Sequence, residues 1–535
     1  MQHDYIKYQD TGYFSSFICD YLDEKPELRP FYNRYPKIEN FKSQIEEKSV
    51  SVKAESRTVL VEQLKQQYEN IEASELTIQN IESLASAKTF TITTGHQLNL
   101  FTGPLYFLYK IISVINLTKE LKQTYPNYNF VPVYWMATED HDFDEINFFN
   151  FNGKNFRWNR EVKGAVGALS TEGLEDIYEL FSKDIGSSKN ANDIKQLFES
   201  AYLKINNLTD ATRYLANALF KDYGLVIIDA ADKALKQLFI PYIKDELFNQ
   251  TSFNAVSKAN KALSELSENY NIQVNPREIN LFYLKDDLRE RIVFDSEDET
   301  YNVLNTDISW RLSELQKHLY EVPERFSPNV IMRPVYQEVI LPNLCYIGGG
   351  GELAYWLQLK AYFDKIKVNF PILLLRNSVL IQSKKQHRKL QNLGISSKDI
   401  FLKRDTLINK KVREISNIDI DFSDQKEHLK QQFEAMYKLA EETDASFLGA
   451  VKAQEVKQLK GLNNLEKRLL KAQKRKLSDH VSRMTELQNE LFPNQGLQER
   501  NVNFSEFYLE YGDALMPKLI EQLHPLKTEF LILNI

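Results

Sequence analysis

The chain has 535 residues, 43% hydrophobic and 26% charged, the proportions of a globular protein rather than a disordered one. Its 67 Lys and Arg against 74 Asp and Glu leave a net charge of −7, which argues against a general nucleic-acid binder. Two cysteines, Cys19 and Cys345, with no CxxC pair, exclude a cysteine zinc site and allow at most one disulfide. The length predicts several structural units. No basic segment followed by an apolar run opens the chain, and no apolar stretch approaches the roughly 20 residues of a membrane span, so a cytoplasmic protein is expected.

Residues 53–71 and 74–84 carry a helical pattern, with Leu60, Leu64 and Tyr68 at four-residue steps. The period then changes, because Thr89 to Thr94 is a β-branched run that stops at Gly95. Pro104 suits the first turn of a helix through LYFLYKIISVINLTKELK, and a second strand follows at residues 131–137. Strand, helix and strand of these lengths make a βαβ crossover, predicting an α/β fold around a parallel sheet. Residues 151–215 read as a polar insertion, 224–229 as another buried strand, and 272–304 as a small mixed unit of short strands. The α/β pattern returns in apolar strands at 333–342 and 345–347. Four glycines, a helix through ELAYWLQLKAYFDKI and a strand at 371–375 follow.

Residues 424–491 are different in kind. Leu429, Phe433, Met436 and Ala440 recur at helical steps, as do Leu459, Leu462, Leu465, Leu469 and Ala472 on a second arm. An antiparallel helical hairpin with unequal arms is predicted, and its unpartnered apolar positions favour self-association. Residues 451–480 carry nine Lys or Arg and three Asp or Glu, read as a solvated coiled-coil face with RNA binding as the alternative. The organisation is a first core part at 1–155, mixed α/β connective insertions at 156–325 and a second core part at 326–420. The hairpin takes 421–495, and residues 496–535 return to the core.

Chemistry is expected at the carboxyl ends of the strands, where an open α/β sheet leaves its crevice. Gly95, His96, Gln97, Asn99, Thr102 and Gly103 form a polar loop before a helix, a place for phosphate or carboxylate. The loop is neither GxGxxG nor a P-loop, and a plain glycine turn is the alternative. The second strand delivers Glu139, Asp140, His141 and Asp142 from the interior. This cluster can bind a cation, accept a proton from an amine or hold hydroxyls. Metal is the less favoured version because nothing fixes a ligand geometry. Gly348, Gly349, Gly350 and Gly351 carry an entropic cost that points to close approach of the backbone. Glu352 suits the helix dipole without any function, and Tyr355 and Trp356 read as core. Arg333 and Arg376, at strand edges, either hold an anion or form structural ion pairs. Lys384 reads more readily as a helix face than as an anion contact, and Cys345 as a small buried hydrophobe.

The stretches TTGHQLNLFTGPLYFLYK, VPVYWMATEDHDFDEIN, RPVYQEVILPNLCYIGGGGELAYWLQLK and PILLLRNSVLI, followed by the hairpin, resemble the BshC family of bacillithiol biosynthesis over essentially the whole chain. The resemblance implies a Rossmann-like parallel-sheet core with inserted connective segments and a coiled coil that makes a homodimer. It also implies an amide-forming ligase that joins L-cysteine to glucosaminyl-malate in the last step towards bacillithiol. Because the family core is similar to class I aminoacyl-tRNA synthetases and the mycothiol cysteine ligase, the resemblance further implies ATP and a cysteinyl-adenylate. Gly95 and His96 then stand where those enzymes carry HIGH, although this chain reads GHQLN. Arg376 to Ser378, or Ser383 to Lys385, stand near the place of KMSKS, a sequence absent here. On this reading His96, Asp140 and His141 are catalytic. Gln97, Asn99, Thr102, Glu139, Asp142, Arg333, Glu352, Tyr355 and Arg376 contact substrate. Gly95, Gly103, Gly348 to Gly351, Asn377, Ser378 and Lys384 contact a nucleotide or anion. A reading from another class is a scaffold whose coiled coil recruits the catalyst.

Overall fold

The computed structural model describes residues 3–535. Its centre is a five-stranded, wholly parallel sheet of β1 (Thr89–His96), β2 (Asn129–Met136), β3 (Val226–Asp229), β4 (Asn343–Gly348) and β5 (Ile372–Leu375). The spatial order β5-β4-β1-β2-β3 reverses direction between β1 and β4, the doubly wound arrangement of a Rossmann-like core. β1 and β2 pair from Thr89 opposite Asn129 to His96 opposite Met136. Phe90, Ile92, Cys345, Ile347, Ile372 and Leu374 pack on one face of the sheet with Phe41 and Val114. Tyr346, Leu373 and Leu375 belong to the larger cluster on the other face. Burial on both faces is why these strands read as unbroken apolar or β-branched runs.

Helix α1 (Tyr106–Thr124) makes the expected crossover from β1 to β2, and α2 (Lys233–Asn249) follows β3. The segment at 333–342, expected as a strand, is instead helix α3 (Arg333–Ile340). Pro334 occupies its first turn, and Pro334, Val335, Tyr336, Gln337, Glu338 and Ile340 are all buried. Polar Arg333, Gln337 and Glu338 keep a helical spacing, but eight residues are too few for period alone to decide, and the Val, Tyr and Ile content resembles a strand. The single helix expected after the glycines is two, α4 (Gly350–Leu357) and Lys360–Ile366.

The insertion at 151–215 contains three helices, Leu174–Ile185, Lys189–Tyr202 and Leu208–Phe220, beside the hairpin Phe148–Phe151 and Lys154–Arg157. Phe101, Phe149, Phe181 and Phe198 pack together there. The later mixed unit is a five-stranded antiparallel sheet that extends to Phe326–Pro328. Helices α5 (Ser423–Glu441), α6 (Ala445–Lys476) and α7 (Ser478–Leu491) form the unequal hairpin, closed by Leu429, Phe433, Tyr437, Ala440 and Val451. The longer arm breaks at Leu477, between α6 and α7. The short α8 (Gln498–Asn501) follows, and Glu529–Asn534 then pairs between His3–Lys7 and Val379–Gln382. Among the described residues no helix is long and apolar enough to cross a membrane.

Candidate functional site

A cavity of about 310 Å3 lies at the carboxyl ends of the parallel strands, where their order reverses. β1 supplies Gly95 and His96, followed by Gln97, and β2 supplies Trp135 with Ala137 and Asp140 beyond it. β4 and α4 supply Tyr346, Gly349, Gly350, Gly351, Glu352 and Tyr355, and Arg376 follows β5. Tyr106 and Lys110 enter from α1, Arg333 and Gln337 from α3, and Arg500 from α8.

One ion pair spans the reversal. Lys110 Nζ lies 2.7 Å from Glu352 Oε2 and donates to the Gly95 carbonyl at 2.7 Å, tying the end of β1 to the start of α4. The Gly349 N–H and the Tyr346 hydroxyl each donate to the Glu352 carboxylate at 2.8 Å. Burial alone would raise this carboxyl. The Lys110 ammonium and the two donors outweigh it and hold Glu352 below its usual range. Lys110 is itself pushed down by burial, against the pull of Glu352.

The four glycines have different reasons. A Cβ on Gly348 would stand 2.9 Å from Leu353 Cδ1 and from Tyr346 Cε1, so this residue lets strand pass to helix through a tight space. Gly349, Gly350 and Gly351 line the cavity and present bare backbone to it. The first turn of α4 adds N–H groups without intrahelical partners, a surface suited to anions.

His96 is only 7% exposed, with ring centroids of Tyr106 and Phe107 at 5.5 and 5.0 Å. Its buried Nε2 has no hydrogen-bond partner. Burial, then Lys110 and Arg376, push the imidazole well below its ordinary pKa. The ring is therefore neutral and has an uncommitted nitrogen. Arg376 is 3% exposed, and its Nη2 stands 2.7 Å from Glu499 Oε1. Its Nη1 donates to the Asn377 carbonyl at 2.9 Å and to Ser378 Oγ at 3.1 Å. Only Nε is left without a partner, so Arg376 is mainly a structural ion pair.

The acidic run divides. Asp140 alone of its four members lines the main cavity, with Arg333 Nη1 at 3.9 Å and Gln97 Nε2 at 3.4 Å. Burial would raise this carboxyl, but the His141 backbone N–H, which donates to Oδ1 at 2.9 Å, and the charges of Arg333 and Arg289 hold it low. His141 is exposed beside the cavity rather than in its lining. Arg289 Nη1 lies 2.7 Å from His141 Nδ1, and since arginine can only donate, Nδ1 accepts. Glu139 turns away, with Oε1 2.6 Å from the fully buried Lys236 Nζ, and lines neighbouring cavities. Asp142 is exposed. Asp140, His141 and Asp142 can bring one ligand atom each within 4.8 Å of one another, but Arg289 already occupies the histidine Nδ1.

The loop after β1 is strained. Phe101 and Thr102 take φ of 48° and 66°, in the left-handed region that non-glycine residues avoid, and Gly103 takes 61°. Asn503 Nδ2 holds this turn by donating to the Phe101 carbonyl at 2.7 Å and the Gly103 carbonyl at 2.6 Å. Thr102 is buried outside the main cavity, whereas Asn99 and Gly103 line a second cavity of about 170 Å3. Three expected anion contacts need correction. Asn377 and Ser378 are buried around Arg376, Lys384 is exposed at the start of the helix Lys384–Asn392, and none lines the main cavity. Gly348 likewise supports the lining rather than joining it.

Sequence reasoning missed Tyr106, Lys110, Gln337, Tyr346 and Arg500. Lys110 had a readable signal, a lone cation inside the apolar run of α1. Arg500 had none.

Residues 1–377 match the family model described as Bacillithiol biosynthesis BshC, N-terminal Rossmann-like domain, and 379–535 match its C-terminal coiled-coil domain. The chain is 61% identical over 535 residues, 100% of both chains, to a Flavobacterium johnsoniae protein named "Putative cysteine ligase BshC". Proteins of the same name from Cytophaga hutchinsonii and Bacillus thuringiensis subsp. konkukian are also similar. The first is 38% identical over 525 residues, covering 97% of this chain and 96% of the relative. The second is 27% identical over 521 residues, covering 94% and 95%. With both models matched in series and relatives aligned end to end, the chain belongs to the BshC family of bacillithiol biosynthesis proteins.

Proposed function

We propose that this chain is a cytoplasmic ligase that joins L-cysteine to glucosaminyl-malate, with ATP as the activating co-substrate. The names of its relatives support the ligase class. The observation that carries the reading is the convergence on one cavity of an uncommitted neutral imidazole, a bare glycine backbone at a helix start, and the guanidinium groups of Arg333 and Arg500. The glycine turn and the first N–H groups of α4 suit phosphate, and the arginines suit carboxylate or phosphate.

In the proposed chemistry the cysteine carboxylate attacks the α-phosphorus of ATP and expels pyrophosphate. The glucosamine amine then attacks the acyl carbon, so the C–N bond forms as the C–O bond to AMP breaks. His96 Nε2 is the group suited to receive the amine proton, because burial keeps it unprotonated. Asp140, held ionised at low pKa, is better suited to orient the ammonium than to accept its proton. Cys19 and Cys345 stand unpaired, in keeping with a reducing compartment. Exposed Met436, Leu439, Val456 and Leu465 on the hairpin support a homodimer through the coiled coil.

Purified protein incubated with cysteine, glucosaminyl-malate and ATP is expected to yield bacillithiol, AMP and pyrophosphate, identified by mass. Persistent absence of product across ATP and magnesium concentrations overturns catalysis by this chain alone.

A further inference from the structure

The second cavity shares Gln97, Tyr106 and Arg500 with the main one, so the two meet along a common wall. Its character differs. Asn99, Glu145 and Phe148 add an amide, a carboxylate and an aromatic face, a mixture that suits a hydroxylated ring better than a phosphate. Asn99 is 6% exposed, and its Nδ2 donates to the Glu145 carbonyl at 3.2 Å. Its Oδ1 is buried with no partner, an acceptor that a ligand hydroxyl can satisfy. Gln97 Nε2 donates to Glu145 Oε2 at 3.1 Å, which fixes the carboxylate at the edge of the cavity. Asn99 is itself placed by the strained turn that Asn503 clamps, so the orphan oxygen does not come from a loose loop.

We propose that this side cavity is a subsite for the ring of an anionic amino sugar. Asn99 Oδ1 and Glu145 accept from ring hydroxyls, and Phe148 supplies the apolar face. Arg500, exposed on the common wall, meets the anionic substituent of the sugar. The ring amine then faces the main cavity, where the acyl group is activated. The choice of an anionic amino sugar rests on the proposed function, in which glucosaminyl-malate supplies the amine; the preference for a hydroxylated ring rests on the side cavity itself.

Calorimetric titration of the full-length protein with glucosaminyl-malate tests the subsite, comparing wild type with Asn99→Leu, Glu145→Ala and Arg500→Gln. A tenfold or greater loss of affinity is expected in N99L and E145A. R500Q is expected to lose affinity and also to bind with less sensitivity to salt. Unchanged affinity in N99L and E145A, or no binding by the wild type, overturns the subsite. Should N99L not fold, as judged by circular dichroism, E145A at the exposed carboxylate decides alone. Product formation separates the two readings. Sugar affinity lost in the variants with no turnover in the wild type upholds the subsite and removes the ligase, whereas turnover with unchanged sugar affinity does the reverse.

Discussion

Arg376 Nη2 and Glu499 Oε1 stand 2.7 Å apart with both side chains buried, joining the end of β5 to α8. The second Glu499 oxygen accepts from the Val379 N–H at 3.1 Å, and Gln498 pairs with the Ile381 backbone at 2.9 and 3.0 Å. The Arg376–Glu499 pair ties the segment matched by the coiled-coil model to the Rossmann-like core, while the other contacts hold α8 against the strand Val379–Gln382, and together they deliver Arg500 to the cavity.

Breaking that pair leaves a buried guanidinium without its partner. Glu499→Gln is therefore expected to lower unfolding free energy by about 3–5 kcal/mol. Urea denaturation measures it, and a loss below about 1 kcal/mol shows that water reaches Arg376.

His96 carries a pH signature. In the fold its pKa lies well below the ordinary value, whereas in the unfolded chain it titrates near ~6.5. Below that pH the unfolded state takes up a proton that the folded state refuses. Its contribution to stability is thus full above about pH 6.5 and erodes as the pH falls. His96→Gln should make the decline of stability from about pH 7 to 5 shallower, by at most about 1.4 kcal/mol per pH unit. The same variant should lower kcat by roughly 10²–10⁴-fold in the ligase assay.

The glycines separate packing from binding. Gly348→Ala drives a Cβ to 2.9 Å from two side-chain carbons and is expected to cost about 1–3 kcal/mol. Gly349→Ala finds no atom nearer than 3.4 Å, and its backbone, φ −75° and ψ 170°, accepts any residue. It should leave the melting temperature nearly unchanged while raising KM for ATP about tenfold, because the methyl intrudes on the anion-facing turn. Equal effects of the two variants on both quantities would contradict this division.

On the hairpin, replacing exposed Leu439 and Val456 together with Asp removes apolar surface without touching buried Phe433, Ala440 or Val451. Light scattering should show a dimer for the wild type and a monomer for the double variant, with unchanged helix content by circular dichroism. A monomeric wild type rules out the proposed assembly.

The unit of β1, α1 and β2 was legible because both periods are local and Gly95 marks the change between them. So was the placing of His96, Asp140 and Gly349 at strand ends, since parallel strands leave their crevice there. The segment at 333–340 was not, because it is only eight residues long and rich in Val, Tyr and Ile, which outweighed the helical spacing of Arg333, Gln337 and Glu338. Asn377, Ser378 and Lys384 looked eligible from their position after a strand, yet two are buried around Arg376 and one faces solvent.

Local order along the chain thus determined the elements, the unequal hairpin and the loops with chemical character, because periodicity and turn chemistry act within a few residues. The tertiary structure alone decided that Lys110 would meet Glu352, that Arg376 would be spent on Glu499, and that Arg500 would line the cavity. Those pairings depend on strand order and on docking of the C-terminal segment. Burial then forces each charge to find its partner wherever in the chain it lies.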